Sequence, residues 1–183
     1  ANFRSSGAIS ASAWIYPTSN AANSIILREG AGVDEQYSLF RKTTGALYTQ
    51  VYCTDTSVFT TFASPDNLLP LNEWHHVALI RDASLNYSLL IDGKVVGAGQ
   101  ITCPIPISAT TFVVGGSPSQ RFTGFIDELA IWATTLTNEE VVQIYTKQAF
   151  KFGGLYKSPI SQVPSTSSFS KSKWMTALPF LKE

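Results

Sequence analysis

Clustered positive charge is missing from this chain. Its 13 lysines and arginines are balanced by 13 acids, give a formal net charge of zero, and never form a run. Non-specific attraction to a nucleic-acid backbone or an anionic membrane surface is therefore not expected. No apolar stretch approaches the length needed to span a bilayer. Histidine and cysteine are both scarce, at two each, and neither pair has metal-ligand spacing. No serine–histidine–aspartate or cysteine–histidine arrangement and no phosphate-cradling glycine loop is evident, Gly115-Gly116 reading as a turn. No internal repeat and no signal peptide is visible, and the chain begins at Ala1, which fits processing or excision from a longer protein.

What is present is strand-forming sequence. Hydrophobic residues make up 44% and charged residues 14%, which suits a sizeable core under a weakly charged surface. Alternation marks Ile9–Tyr16, Ser24–Arg28, Tyr37–Arg41, Ala46–Cys53 and Ser57–Ala63 as strands. Further strands follow at Trp74–Arg81, Tyr87–Ile91, Lys94–Ala98, Ile107–Val114 and Phe125–Trp132. Asp92-Gly93 is a two-residue hairpin signal, since both central positions of a type I′ turn need positive φ. Short strands at regular spacing predict an all-β sandwich of two antiparallel sheets. After Ala149 the composition shifts, and residues 151–183 are rich in serine, proline and lysine without a clear period. That divides the chain into a domain over 1–149 and a C-terminal extension over 150–183.

The most informative stretch is Phe122–Tyr145. Strict alternation puts Phe125, Asp127, Leu129 and Ile131 on one face, and Ile126, Glu128, Ala130 and Trp132 on the other. Asp127 then shares a face with core-type residues, where a carboxylate is costly unless backbone donors or a metal satisfy it. A short helix follows. Thr137 is the expected N-cap, Glu140 its capping-box partner, and Leu136 with Val141 the hydrophobic staple.

Three separated segments, ISASAWIYPTS, NEWHHVALIRD…LLIDGKVVGAG and FTGFIDELAIWATTLTNEEVVQIY, closely resemble the laminin G-like modules of the concanavalin A-like lectin/glucanase superfamily, over about residues 7–147. The resemblance implies a jelly roll that binds sugars, proteins or proteoglycans, often near a calcium ion. The aspartate of the family's Gly-x-Ile-Asp-Glu motif falls on Asp127. Two features depart from the family. Its opening Phe-Asp-Gly-x-x-Tyr strand is absent from this sequence, and residues 151–183 lie outside its pattern.

Two readings of Asp127 stand side by side, a strand aspartate held by backbone donors and a calcium ligand. The second needs further oxygens, for which Glu29, Asp34 and Glu35 are the candidates. Cys53 and Cys103 are either one disulfide, if the chain is secreted, or two buried thiols. Asn86-Tyr87-Ser88 is a glycosylation sequon, usable only in a eukaryotic secretory pathway. Glycosidases of the superfamily place carboxylates two residues apart on one face, whereas strict alternation separates Asp127 from Glu128. The expectation is no catalysis. His75 and His76 face apart for the same reason, one expected in the core with a hydrogen bond and one at the surface. Trp14, Trp74 and Trp132 read as core or rim, with Trp132 and Glu128 the candidates for a ligand-facing surface.

The first functional expectation is therefore an extracellular recognition or adhesion module for carbohydrate or glycoprotein. The second is a structural subunit of a large assembly, a virion, phage tail or filament. Its unpaired N-terminal sheet edge and residues 151–183 would supply contacts between copies.

Overall fold

The computed structural model describes residues 7–106 and 111–153. Among these described residues ten strands run in chain order: β1 Ile9–Pro17, β2 Ser24–Glu29, β3 Tyr37–Arg41, β4 Leu47–Cys53, β5 Val58–Ala63, β6 His75–Arg81, β7 Asn86–Ile91, β8 Lys94–Gln100, β9 Phe112–Val114 and β10 Gly124–Trp132. One helix, α1, spans Asn138–Gln148 and runs into a 3-10 turn at Ala149–Phe152. The strands form two five-stranded antiparallel sheets, ordered β10-β1-β6-β7-β8 and β5-β4-β3-β2-β9. Strand limits match the sequence reading to within two residues except at β9. There residues 107–110 lie outside the described residues, as does the expected extension from 154 onward.

Period two explains the core. Ile9, Ala11, Ala13 and Ile15 of β1 point inward with Val77 and Leu79 of β6 and Leu89 and Ile91 of β7, meeting Ile26, Leu27, Leu39, Leu47 and Val51 of the facing sheet. The hairpin between β7 and β8 has the expected turn, with φ of 49° at Asp92 and 75° at Gly93. Cys53, at the end of β4, is joined by a disulfide to Cys103, which follows β8, with Cα atoms 5.5 Å apart.

Among the described residues two arginines are fully buried, and each directs donors to backbone carbonyls as well as to a side-chain oxygen. Arg81 donates from Nε to the Gly7 carbonyl at 2.7 Å and from Nη1 to the Gln36 carbonyl at 3.0 Å and the Tyr87 hydroxyl at 3.1 Å. Arg41 donates from Nε and Nη2 to the Leu69 carbonyl at 3.1 and 2.6 Å. A guanidinium satisfied this way avoids the cost of an unpaired buried charge and fixes loops to strands.

The outer face of the β10-β1-β6-β7-β8 sheet carries α1. Eleven residues of isolated helix are marginal in water, so packing and caps must hold it. Val141 packs with Ala78, Ile80, Leu90 and Leu136 in a second apolar cluster. The capping box is complete: Glu140 N–H donates to Thr137 Oγ1 at 3.2 Å, and Thr137 N–H donates to Glu140 Oε2 at 2.8 Å.

Candidate functional site

The site grows from the register between β1 and β10. Ser10, Ser12, Trp14 and Tyr16 alternate with the core residues of β1 and therefore face outward, toward α1. Trp14 stands opposite Asp127 and Tyr16 opposite Phe125, so these four side chains share the outer face. Ser12 stands opposite Ala130, however, so Glu128 and Leu129 together oppose the single residue Ala13. This is a β-bulge, and Glu128 carries its strain with φ of 48°, a conformation rare for a side-chain-bearing residue.

The bulge corrects the strict alternation expected of this strand. Ile126, Leu129 and Ile131 pack on the core, whereas Phe125 and Asp127 lie outside, and Asp127 is exposed rather than in register with core residues. Its Oδ1 accepts from the Glu128 N–H at 2.7 Å. Glu128 reaches the same outer side, where its Oε1 pairs with Lys151 Nζ and its Oε2 accepts from Gln148 Nε2 at 3.5 Å. The two carboxylates therefore do not point to opposite faces, and that ground for setting catalysis aside falls.

Beside them lies an open depression of about 440 Å³ lined by Tyr16, Trp74 and Phe125. Ring centroids are 5.5 Å apart for Tyr16–Trp74, 5.9 Å for Tyr16–Phe125 and 6.5 Å for Trp74–Phe125. Phe125 is 62% exposed although an aromatic ring of its size would ordinarily be covered. Phe152 bridges this group to its covered neighbour, with centroids 4.7 Å from Trp74 and 4.3 Å from Trp14. Packing of the domain thus continues past residue 149.

Trp14 itself is buried. Its Nε1 donates to Gln148 Oε1 at 2.9 Å, its ring stacks on Tyr145 at 5.7 Å, and His76 meets it edge-on at 5.6 Å. Of the two histidines it is His75 that is hydrogen-bonded, Nδ1 lying 2.8 Å from Asp92 Oδ2. His76 is fully buried, and neither ring nitrogen has a hydrogen-bond partner among the described residues. Burial pushes its pKa down to about 4, against the opposing pull of Asp92.

The remaining predicted residues lie elsewhere. Glu29 is buried on β2 in the other sheet, beside Tyr37, whose phenol is raised first by burial and then by that carboxylate. Asp34 sits in the 3-10 turn Gly32–Asp34, and Glu35 is buried with its Oε2 accepting from Gln50 Nε2 at 3.0 Å. Among the described residues no group of three or more His, Cys, Asp or Glu lies together, and Glu29 on β2 belongs to the other sheet from Asp127 on β10. Trp132 stands opposite Ser10 at the far end of β10, away from the depression. Tyr16 and Phe125 were missed by sequence reasoning. The available signal was an aromatic residue two places before the strand aspartate, beside a tryptophan motif whose ring had no assigned cover.

Two facing antiparallel sheets with a helix on one outer face and an open aromatic depression define a lectin-like jelly roll. The chain belongs to the concanavalin A-like lectin/glucanases superfamily, whose laminin G model matches residues 1–142. No curated protein matches the chain in sequence. Solved structures share the fold. The CBM40 of Ruminococcus gnavus IT-sialidase bound to α2,3-sialyllactose aligns at a TM-score of 0.66 with 19% identity, covering 76% of this chain and 82% of its own. The heptameric SAP-like pentraxin of Limulus polyphemus aligns at 0.58 with 17% identity, covering 75% and 69%. The receptor binding domain of botulinum neurotoxin D aligns at 0.63 with 16% identity, covering 78% of this chain and 37% of its own.

Proposed function

We propose that this domain is a non-catalytic extracellular recognition module that binds carbohydrate, free or on a glycoprotein, at the Tyr16–Trp74–Phe125 depression. The observation that carries this reading is the depression itself: three touching aromatic rings open to solvent, one of them 62% exposed. Aromatic faces offer the apolar face of a pyranose a large contact area at low entropy cost. Carbohydrate-binding neighbours of the same fold support the ligand class, and the Cys53–Cys103 disulfide supports an oxidising, extracellular setting.

The surrounding carboxylates are poorly suited to glycoside chemistry. Both oxygens of Glu128 are engaged by Lys151 and Gln148, and Asp127 is exposed, whereas a glycosidase acid needs a carboxyl held in an apolar pocket. A glycan array, followed by titration of the bound glycan against Phe125→Ala and Trp74→Ala, tests the reading. The expected result is at least tenfold weaker binding in each variant. Unchanged affinity in both sinks it.

A further inference from the structure

Acidic side chains stand on the strands that form the aromatic depression. Asp127 is exposed on the same face as Phe125, two residues along the strand, before the bulge turns the chain. On the other side of Trp74's strand end, Glu73, its side chain 64% exposed, has Oε2 3.8 Å from His75 Nε2, while the other ring nitrogen of His75 lies 2.8 Å from Asp92 Oδ2. Among the described residues the nearby cation is Lys151, close to Phe152, and it is already committed. Its ammonium pairs with Glu128, and its pKa is raised by that hydrogen bond and further by the charges of Glu128 and Asp127. Lys151 is shared between Glu128 and Asp127, and His75 between Asp92 and Glu73, so around this apolar floor the described carboxylates, Asp127 most exposed among those on the sheet face, outnumber the cations.

We propose that the depression selects uncharged pyranoses and rejects sugars that carry a carboxylate, with Asp127 as the residue that sets this selectivity. The inference rests on the carbohydrate-binding reading above. A carboxylate brought onto the Tyr16–Trp74–Phe125 floor meets the exposed Asp127 on the same sheet face and, among the described residues, finds no uncommitted cation there to bind. Like charges sharing a partly solvated site weaken binding by about fivefold to tenfold, less as salt screens them.

The experiment uses the full chain and matched glycan pairs, each neutral oligosaccharide beside its counterpart bearing a terminal sialic acid. Affinities are measured by calorimetry at about 20 mM and about 500 mM salt, conditions that bracket strong and weak screening. Neutral glycans should bind, and their sialylated partners should bind about fivefold or more weakly at low salt, with the gap narrowing at high salt. Asp127→Asn keeps an oxygen acceptor for the Glu128 N–H, so it should fold. It should raise the affinity for sialylated glycans about threefold and change that for neutral ones by less than twofold. Equal or tighter binding of the sialylated partners by the unmodified protein overturns the charge selectivity while leaving carbohydrate recognition intact. A gap that Asp127→Asn leaves unchanged removes Asp127 from the role. Binding of no glycan in either set overturns both readings.

Discussion

Trp14 and Phe125 lie on the same outer face of the same sheet, yet one is 2% exposed and the other 62%. The difference is what lies above them. Over Trp14 the chain returns as α1 and the 3-10 turn, setting Tyr145, Gln148 and Phe152 on the indole. Over Phe125 the described residues place no such cover. Aromatic area under a helix serves stability, and the same area left open is what the proposed recognition reading assigns to the ligand. This contrast separates the covered scaffold from the proposed site on one sheet face.

The contrast breaks first at Trp14. Trp14→Ala removes a buried ring and its hydrogen bond and should cost about 3–5 kcal/mol, lowering the urea midpoint sharply. Phe125→Ala should cost less than about 1 kcal/mol in the same denaturation. Comparable losses would show that the two ends of the face are one structural unit.

Acid tests the covered half next. His76 meets Trp14 edge-on, and burial pushes its pKa down to about 4, below the ordinary histidine value of about 6.5. Folding therefore favours the neutral ring. Its contribution is fully present above about pH 6.5 and is lost as pH falls from there toward 4, amounting to roughly 3 kcal/mol at the acid end. Carboxylates add their own acid loss, so the diagnostic measurement is the pH dependence of urea midpoints in the protein and in His76→Leu. The variant should lose the part of the slope between pH 6.5 and 4. A smaller effect is expected at the helix start, where Thr137→Ala removes one bond of the capping box and should cost about 1 kcal/mol by thermal melting.

The scaffold half of this surface was readable in the amino-acid order. Hydrophobic alternation located the strands, Asp92-Gly93 marked a turn with two positive φ values, and Thr137-x-x-Glu140 marked a helix start whose two reciprocal bonds are both present. The open half was not readable, for two physical reasons. Glu128 adopts positive φ without being a glycine, so nothing in its chemistry announces the bulge that moves Asp127 outward and returns Leu129 inward. The depression joins Tyr16 of β1, Trp74 just before β6 and Phe125 of β10, residues brought together only by strand order and register. A motif reading found the aspartate of that strand and misplaced its face, because one inserted residue reverses the parity of all that follow.

The Cys53–Cys103 disulfide also matters for how the domain would bear load. The 50-residue separation it spans contains β5 of one sheet and β6, β7 and β8 of the other. A pull applied at the two ends of the chain passes through the sulfur–sulfur bond and bypasses everything between. At about 3.4 Å per residue, roughly 170 Å of chain is withheld from extension even after the surrounding strands give way. Under tension the covalent loop therefore keeps the backbone of the β6–β8 meander out of the path of the force, while the chain on either side of the loop can still extend.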